Sequence, residues 1–341
     1  MTNSGIQSSN RLNEIDFMRP IVIILLVMMH SFTIYSDGGS WKRPIGIEPV
    51  SIYKWIQVIT YGCMLEAFTF ISGYLFGFQL RKKKNQFSSM VLSKLKRLIV
   101  PSIVFSVLYI LLFQIKRGEE INWCSRIIEI ISGVGHLWYL PMLFWCFIIT
   151  WLLSKLKIKE GYKLIGVYII SIAKILPIPL GFSSMLQYLP FFYLGVYIYG
   201  NMSKKSTIKD AIFCLIVFLI LLVLVTLYRE AHPVLASWQK IALWYLKQSY
   251  ATLGTLGLFF ICKLWGEKFE VQHKTIQFNA CCFGNYVFHQ FILMILYYDT
   301  PLPLICGTYW LPWCSLLLAF SISFGLTWLL QKTKTGKFLL G

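Results

Sequence analysis

Apolar runs of membrane-spanning length recur along almost the whole of this chain, and they restrict it to one kind of fold. A helix needs about 17 to 25 apolar residues to cross roughly 30 Å of hydrocarbon. Reading for such runs places ten spans at 19–36, 55–78, 98–115, 137–154, 162–180, 185–200, 211–228, 242–262, 280–298 and 309–330. Lys174 and the Pro177/Pro179 pair interrupt the fifth, and the sixth is short. In lipid every backbone N–H and C=O must find a partner within the protein, so uninterrupted apolar runs of this length are helical. With 57% hydrophobic and only 13% charged residues, the composition lies outside the range of soluble domains. The expected fold class is all-α, a polytopic integral membrane bundle of about ten transmembrane helices.

The charges orient it. A formal net charge of +18 suggests nucleic acid at first sight, but the basic residues fall in short clusters between apolar runs and make no continuous patch. With the N-terminus inside, 22 of the 32 Lys and Arg residues lie on the cytoplasmic side, among them Arg11, Arg19, Lys94, Lys96 and Arg97. This excess predicts cytoplasmic N- and C-termini and an even number of spans. The expected division is a cytoplasmic segment 1–18, a single transmembrane domain 19–330 and a cytoplasmic tail 331–341. The first apolar run contains Arg19 and His30 and lacks a small-residue cleavage pattern, so it is expected to remain as a helix rather than serve as a cleaved signal. Most of the nine cysteines sit inside apolar runs without metal-ligand spacing. Only Cys124 and Cys306 fall near external loops, where one disulfide could form. Trp and Tyr gather near the span ends, as in Trp41, Trp55, Trp138-Tyr139 and Tyr309-Trp310, in the manner of an interfacial belt.

Against this background the intramembrane polar residues stand out. Arg19 and His30 are eleven positions apart, and eleven steps of about 100° return almost to the starting direction. Both side chains therefore share a helix face, with His30 roughly 16 Å deeper, near mid-bilayer. Glu66 lies near the middle of the second span and His289 about half-way along the ninth. Ionisable groups at such depth are costly and mark functional sites by default. The expectation is that the three converge as catalytic groups, with Glu66 orienting His30 and raising its basicity as a general base. Arg19, Lys96 and Arg97 form a cationic mouth suited to a polyphosphate ligand. Ser72-Gly73 fits close helix approach. His136-Leu-Trp138-Tyr139 opens the fourth span on the external side, where it could anchor the helix or bind an acceptor.

These segments resemble acyltransferase family 3 of integral membrane proteins. The resemblance rests on Arg19, ten residues and His30; on Glu66-Ala-Phe-Thr-Phe-Ile-Ser72-Gly73-Tyr; and on His136-Leu-Trp-Tyr-Leu, Leu189-Pro-Phe-Phe-Tyr-Leu-Gly195 and Gly284-Asn285-Tyr-Val-Phe-His289, all in family order. Two positions depart from the family pattern: Pro20 follows Arg19, where it is expected in a first helical turn, and Thr69 separates the paired aromatics. The resemblance implies a membrane-bound O-acyltransferase of the bacterial cytoplasmic membrane. It would move acetyl from cytoplasmic acetyl-CoA, without a metal, to a hydroxyl of a surface polysaccharide or its lipid-linked precursor. His136, Trp138, Tyr139, Ser72 and Asn285 would then meet the substrate, and His30 would act as general base or acyl acceptor. The expected partners are the glycan acceptor and the lipid bilayer, not nucleic acid, with homo-oligomerisation left open. The alternative is a proton-coupled transporter or exporter of a glycan precursor, in which Glu66 and the histidines relay protons.

Overall fold

The computed structural model describes residues 11–36, 41–82, 86–114, 123–202 and 206–340. Among them there is helix and no strand. The helices are α1 (Asn13–Phe32), α2 (Ser51–Tyr61), α3 (Met64–Lys82), α4 (Phe87–Lys94), α5 (Val100–Tyr109), α6 (Trp123–Ser132), α7 (Tyr139–Lys155), α8 (Glu160–Ile170), α9 (Phe182–Asn201), α10 (Ile208–Ala231), α11 (Ser237–Lys268), α12 (His273–Tyr298), α13 (Leu302–Leu330) and α14 (Lys334–Leu340). Seven helical segments of the described residues are long and apolar enough to cross a bilayer: Asn13–Tyr35, Ser51–Lys82, Phe87–Gln114, Gly135–Lys155, Ile208–Ala231, His273–Tyr298 and Leu302–Leu330.

The other three expected spans take different forms. α9 and α11 are 20 and 32 residues long, so length is sufficient, but their interior polar residues, such as Gln187 and Gln248, lower their hydropathy. The expected span 162–180 is not one helix. α8 ends at Ile170 and a 3₁₀ turn covers Ser171–Ile175. Pro177 and Pro179 lack the N–H a helix would need, and Leu180 and Gly181 turn the chain with positive φ of 60° and 77°. Trp145 Nε1 donates to Leu180 O at 2.9 Å and ties this link to α7.

α1 is the central element, packed against α2, α3, α11, α12 and α13. Met18, Val22, Ile23, Val27 and Phe32 are all fully enclosed. Pro20 lies well inside α1, not in a first turn, because the helix begins at Asn13 with Glu14 and Asp16 near its positive N-terminal pole. Proline cannot donate to the carbonyl four residues back. α12 repairs the gap, for Asn279 Nδ2 donates to Asp16 O at 3.0 Å and to Asp16 Oδ1 at 3.1 Å.

α3 and α9 approach closely, as Ser72-Gly73 predicts. A methyl on Gly73 would lie 1.8 Å from Phe192 O, and one on Gly195 would lie 2.3 Å from Phe70 O. Each glycine seats the other helix's backbone. By contrast, α10 and α13 turn apolar side chains outward, including Phe213, Ile220, Leu224, Leu317 and Ile322. Such extended apolar faces suit hydrocarbon, not water.

Candidate active site

α1, α12 and the 3₁₀ turn Gly135–Trp138 that leads into α7 bring three histidines together. The His30 and His289 ring centroids are 4.8 Å apart, and those of His136 and His289 are 5.0 Å apart. His289 is fully buried and His136 is 6% exposed.

The surrounding carbonyls fix the tautomers, because a carbonyl oxygen only accepts. His289 Nδ1 faces Asn285 O at 3.0 Å and Tyr286 O at 2.8 Å, so it carries the proton. His289 Nε2 is then a lone pair, and it lies 3.2 Å from His30 Nδ1. His30 Nδ1 also faces Leu26 O at 3.1 Å, and thus donates to both. Nε2 of His30 is left as the basic nitrogen. In the same way His136 Nε2 donates to Val287 O at 2.9 Å, leaving Nδ1 as a buried acceptor without a hydrogen-bond partner.

Two cavities approach this cluster from opposite ends of the bundle. One, of about 570 Å³, is lined by Arg11, Arg19, Lys94 and Arg97 and by a single carboxylate, Asp16. Its wall also includes Phe68, Ser72, Tyr139 and Tyr286, and the Tyr286 ring is 5.4 Å from that of His136. Asp16 is committed to Arg11 at 3.1 Å and to Asn279. Lys94 Nζ stands over the Phe147 ring at 3.8 Å. Arg19 and Arg97 make no hydrogen bond or ion pair with a described residue, so two guanidinium groups remain available to an anion.

The other cavity, of about 1010 Å³, is lined by Trp41, Lys42, Arg43, Tyr109, Gly135, Tyr297 and Tyr298. The Trp41 ring lies 6.0 Å from the His30 ring and 6.1 Å from that of Tyr297. Tyr297 OH donates to Ser31 O, one residue beyond His30, at 2.6 Å. The histidines therefore stand between a cationic chamber and an aromatic one.

The structure departs in part from the constellation expected from sequence. His30 and His289 meet directly, but Glu66 is not hydrogen-bonded to His30. Glu66 is 2% exposed with Oε2 unpartnered, and its ionisable neighbours are Lys247, Cys63, Tyr139, Tyr188 and Tyr250. His289 occupies the orienting position assigned to Glu66. Arg19 and Arg97 line the cationic chamber, whereas Lys96 does not. Ser72 and Tyr139 line that same chamber, Ser72 Oγ donating to Phe68 O and Tyr139 OH lying 3.2 Å from Thr69 Oγ1. Trp138 packs on Tyr188 at 5.8 Å. Asn285 accepts from His289 through its backbone, while its carboxamide is buried without a partner. The Cys124 side chain lies outside the described residues. Cys306 is a free thiol beside Cys314.

Sequence reasoning passed over Asn279, Gln290 and Trp41. Asn279 and Gln290 carried the signal of polar side chains in an apolar helix. Trp41 was absorbed into the interfacial belt. Among the described residues no group of His, Cys, Asp or Glu is placed to hold a metal ion.

The sequence model of the acyltransferase family 3 domain, described as an acyltransferase domain, matches residues 12–332. This chain belongs to that acyltransferase family. No curated protein and no solved structure gives a significant match. The matched region takes in α1 through α13, the histidine cluster and the described lining of both chambers apart from Arg11 and Leu340.

Proposed function

We propose that this multi-pass membrane acyltransferase moves an acetyl group from cytoplasmic acetyl-CoA to a hydroxyl of a surface polysaccharide or its lipid-linked precursor. The orientation puts the Arg19 end in the cytoplasm, with both termini there, in a bacterial cytoplasmic membrane and with about ten membrane-embedded helices. The observation that carries the proposal is the position of His30. Its Nε2 lone pair is set by the Nδ1–H bonds to Leu26 O and His289 Nε2, and it lies on the partition between an anion-attracting chamber and an aromatic one.

In this scheme Arg19 and Arg97 hold the donor's phosphates by charge-assisted hydrogen bonds, and the donor's arm extends inward past Ser72 and Tyr139 to present its thioester near His30. The acceptor enters from the Trp41 end, where aromatic rings suit the C–H faces of a sugar. Nε2 of His30 acts either on the thioester carbon as a nucleophile or on the acceptor hydroxyl as a base. In either case the developing imidazolium is stabilised through Nδ1–H by Leu26 O and His289 Nε2. Neutral His289 takes the part a carboxylate plays in other histidine-centred sites.

The test is transfer from acetyl-labelled acetyl-CoA to a glycan acceptor by purified protein. His30→Ala is expected to abolish transfer and Arg19→Ala to weaken donor binding. Unchanged transfer in both would sink the site.

A further inference from the structure

His136 is braced more completely than an anchor requires. Its ring Nε2–H is spent on Val287 O at 2.9 Å, its backbone N–H donates to Gln290 Oε1 at 3.0 Å, and its backbone carbonyl accepts from Tyr286 OH at 2.6 Å. All three partners belong to α12, the helix that carries His289. The brace leaves one ring atom over, Nδ1, which is buried and makes no hydrogen bond with the described residues. An anchor gains nothing from a desolvated, empty lone pair. A base awaiting a hydroxyl proton needs just that. The preceding residue, Gly135, lines the aromatic chamber, so His136 stands where an acceptor entering from that end meets the histidine cluster.

We infer that His136 Nδ1 is the catalytic base that takes the proton of the acceptor hydroxyl, and that His30 Nε2 is the atom that carries the acyl group. The inference rests on the acyl-transfer function proposed above and divides that chemistry between two imidazoles. In the first step His30 Nε2 attacks the thioester carbonyl, an N–C bond forms, the C–S bond breaks and its electron pair leaves as thiolate. His30 becomes an acyl-imidazolium and keeps its Nδ1 proton in the bonds to Leu26 O and His289 Nε2. In the second step the acceptor oxygen attacks the acyl carbon while its proton passes to His136 Nδ1. The C–N bond breaks, its electron pair returns to His30 Nε2, and the ester departs. The His136 imidazolium then releases its proton, which balances the thiolate of the first step.

His136→Gln separates this role from bracing, because the glutamine Nε2 can keep the bond to Val287 O while its amide oxygen is too weak a base to replace Nδ1. Purified wild type, His136→Gln and His30→Gln are mixed with acetyl-labelled acetyl-CoA, and one portion of each is rapidly quenched to read acetyl-His30 while the other stays active for the discharge step. Methanol, small enough to enter either chamber, is then added as acceptor and methyl acetate is counted. The expected result is that His136→Gln melts like wild type and acetylates His30, yet discharges to methanol about 10² to 10⁴ times more slowly, the usual worth of a positioned base. Discharge at the wild-type rate overturns the inference. So does loss of His30 acetylation in His136→Gln, or absence of any acetyl-His30 in wild type. Transfer by His30→Gln at the wild-type rate would instead overturn the acyl-transfer site itself, so the two failures are distinguishable.

Discussion

His289 Nε2 lies 3.2 Å from His30 Nδ1 and, because two carbonyls hold the His289 proton on the opposite nitrogen, it can only accept. This bond becomes charge-assisted when His30 gains positive charge in the reaction. A hydrogen bond to a charged group contributes about 1.5–3 kcal/mol, or about 10- to 100-fold in rate. His289→Phe, which keeps a ring without the acceptor, is therefore expected to lower kcat by about that factor. The donor KM should change little, since His289 lines neither chamber. Steady-state kinetics across donor concentrations check this, and a rise in KM at constant kcat would contradict it.

The cationic chamber separates two lysine and arginine positions that look alike in sequence. Arg19 lines it without a hydrogen bond or ion pair to a described residue, while Lys96 is not part of its lining. Arg19→Gln is expected to raise the donor KM roughly 10-fold or more, as befits the loss of a charge-assisted phosphate contact. Lys96→Gln should stay within about twofold of wild type, a difference small against the contact energy. Isothermal titration with coenzyme A, which has no acyl group to react, measures the same contrast as affinity.

Much of this arrangement was legible in the chain. Run lengths gave a helical membrane bundle because lipid leaves the backbone no other partner. Helical periodicity put Arg19 and His30 on one face of α1, where Arg19 lines the cationic chamber and His30 joins the histidine cluster. What the sequence hid is lateral. Depth can be counted from a span end, but the rotation of one helix against another depends on close contacts such as Gly73 on Phe192 O. Glu66 therefore looked the partner that would orient His30, although depth alone placed His289 within reach as well. Packing chose His289 and left Glu66 among tyrosines and within the field of Lys247. The link after α8 was misread for a related reason: its apolar content resembles a span, whereas Pro177, Pro179 and the left-handed Leu180 and Gly181 set its backbone.

The α3–α9 contact has no room for a side chain at its centre. Gly73→Ala would drive a methyl to 1.8 Å from Phe192 O, and a backbone carbonyl cannot swing aside as a flexible side chain can. The helices must separate, at a cost of about 1–3 kcal/mol for overpacking. A lowered melting temperature in detergent is the expected outcome. Gly166→Ala is the control, because a Cβ there meets nothing within 4 Å, and it should melt with or slightly above wild type. Equal melting of the two variants would contradict the close approach.

Asn279 couples the proline in α1 to the charge of the chamber. It satisfies the Asp16 carbonyl that Pro20 leaves without a donor and also binds the Asp16 carboxylate. Asp16 is thereby held by Asn279 and Arg11 and makes no direct ion pair with Arg19, which it attracts only at longer range. Asn279→Leu removes both bonds. The orphaned carbonyl alone should cost about 1–3 kcal/mol of stability. The released carboxylate can turn to Arg19, only three residues along the same helix face, and compete with the donor's phosphates. The expected outcome is a lower melting temperature together with a raised donor KM. Adding Asp16→Asn should restore the KM without restoring the melting temperature, since the carbonyl remains unpaired while the competing charge is gone. Recovery of both, or of neither, would show that Asn279 does not keep Arg19 available to the donor through Asp16.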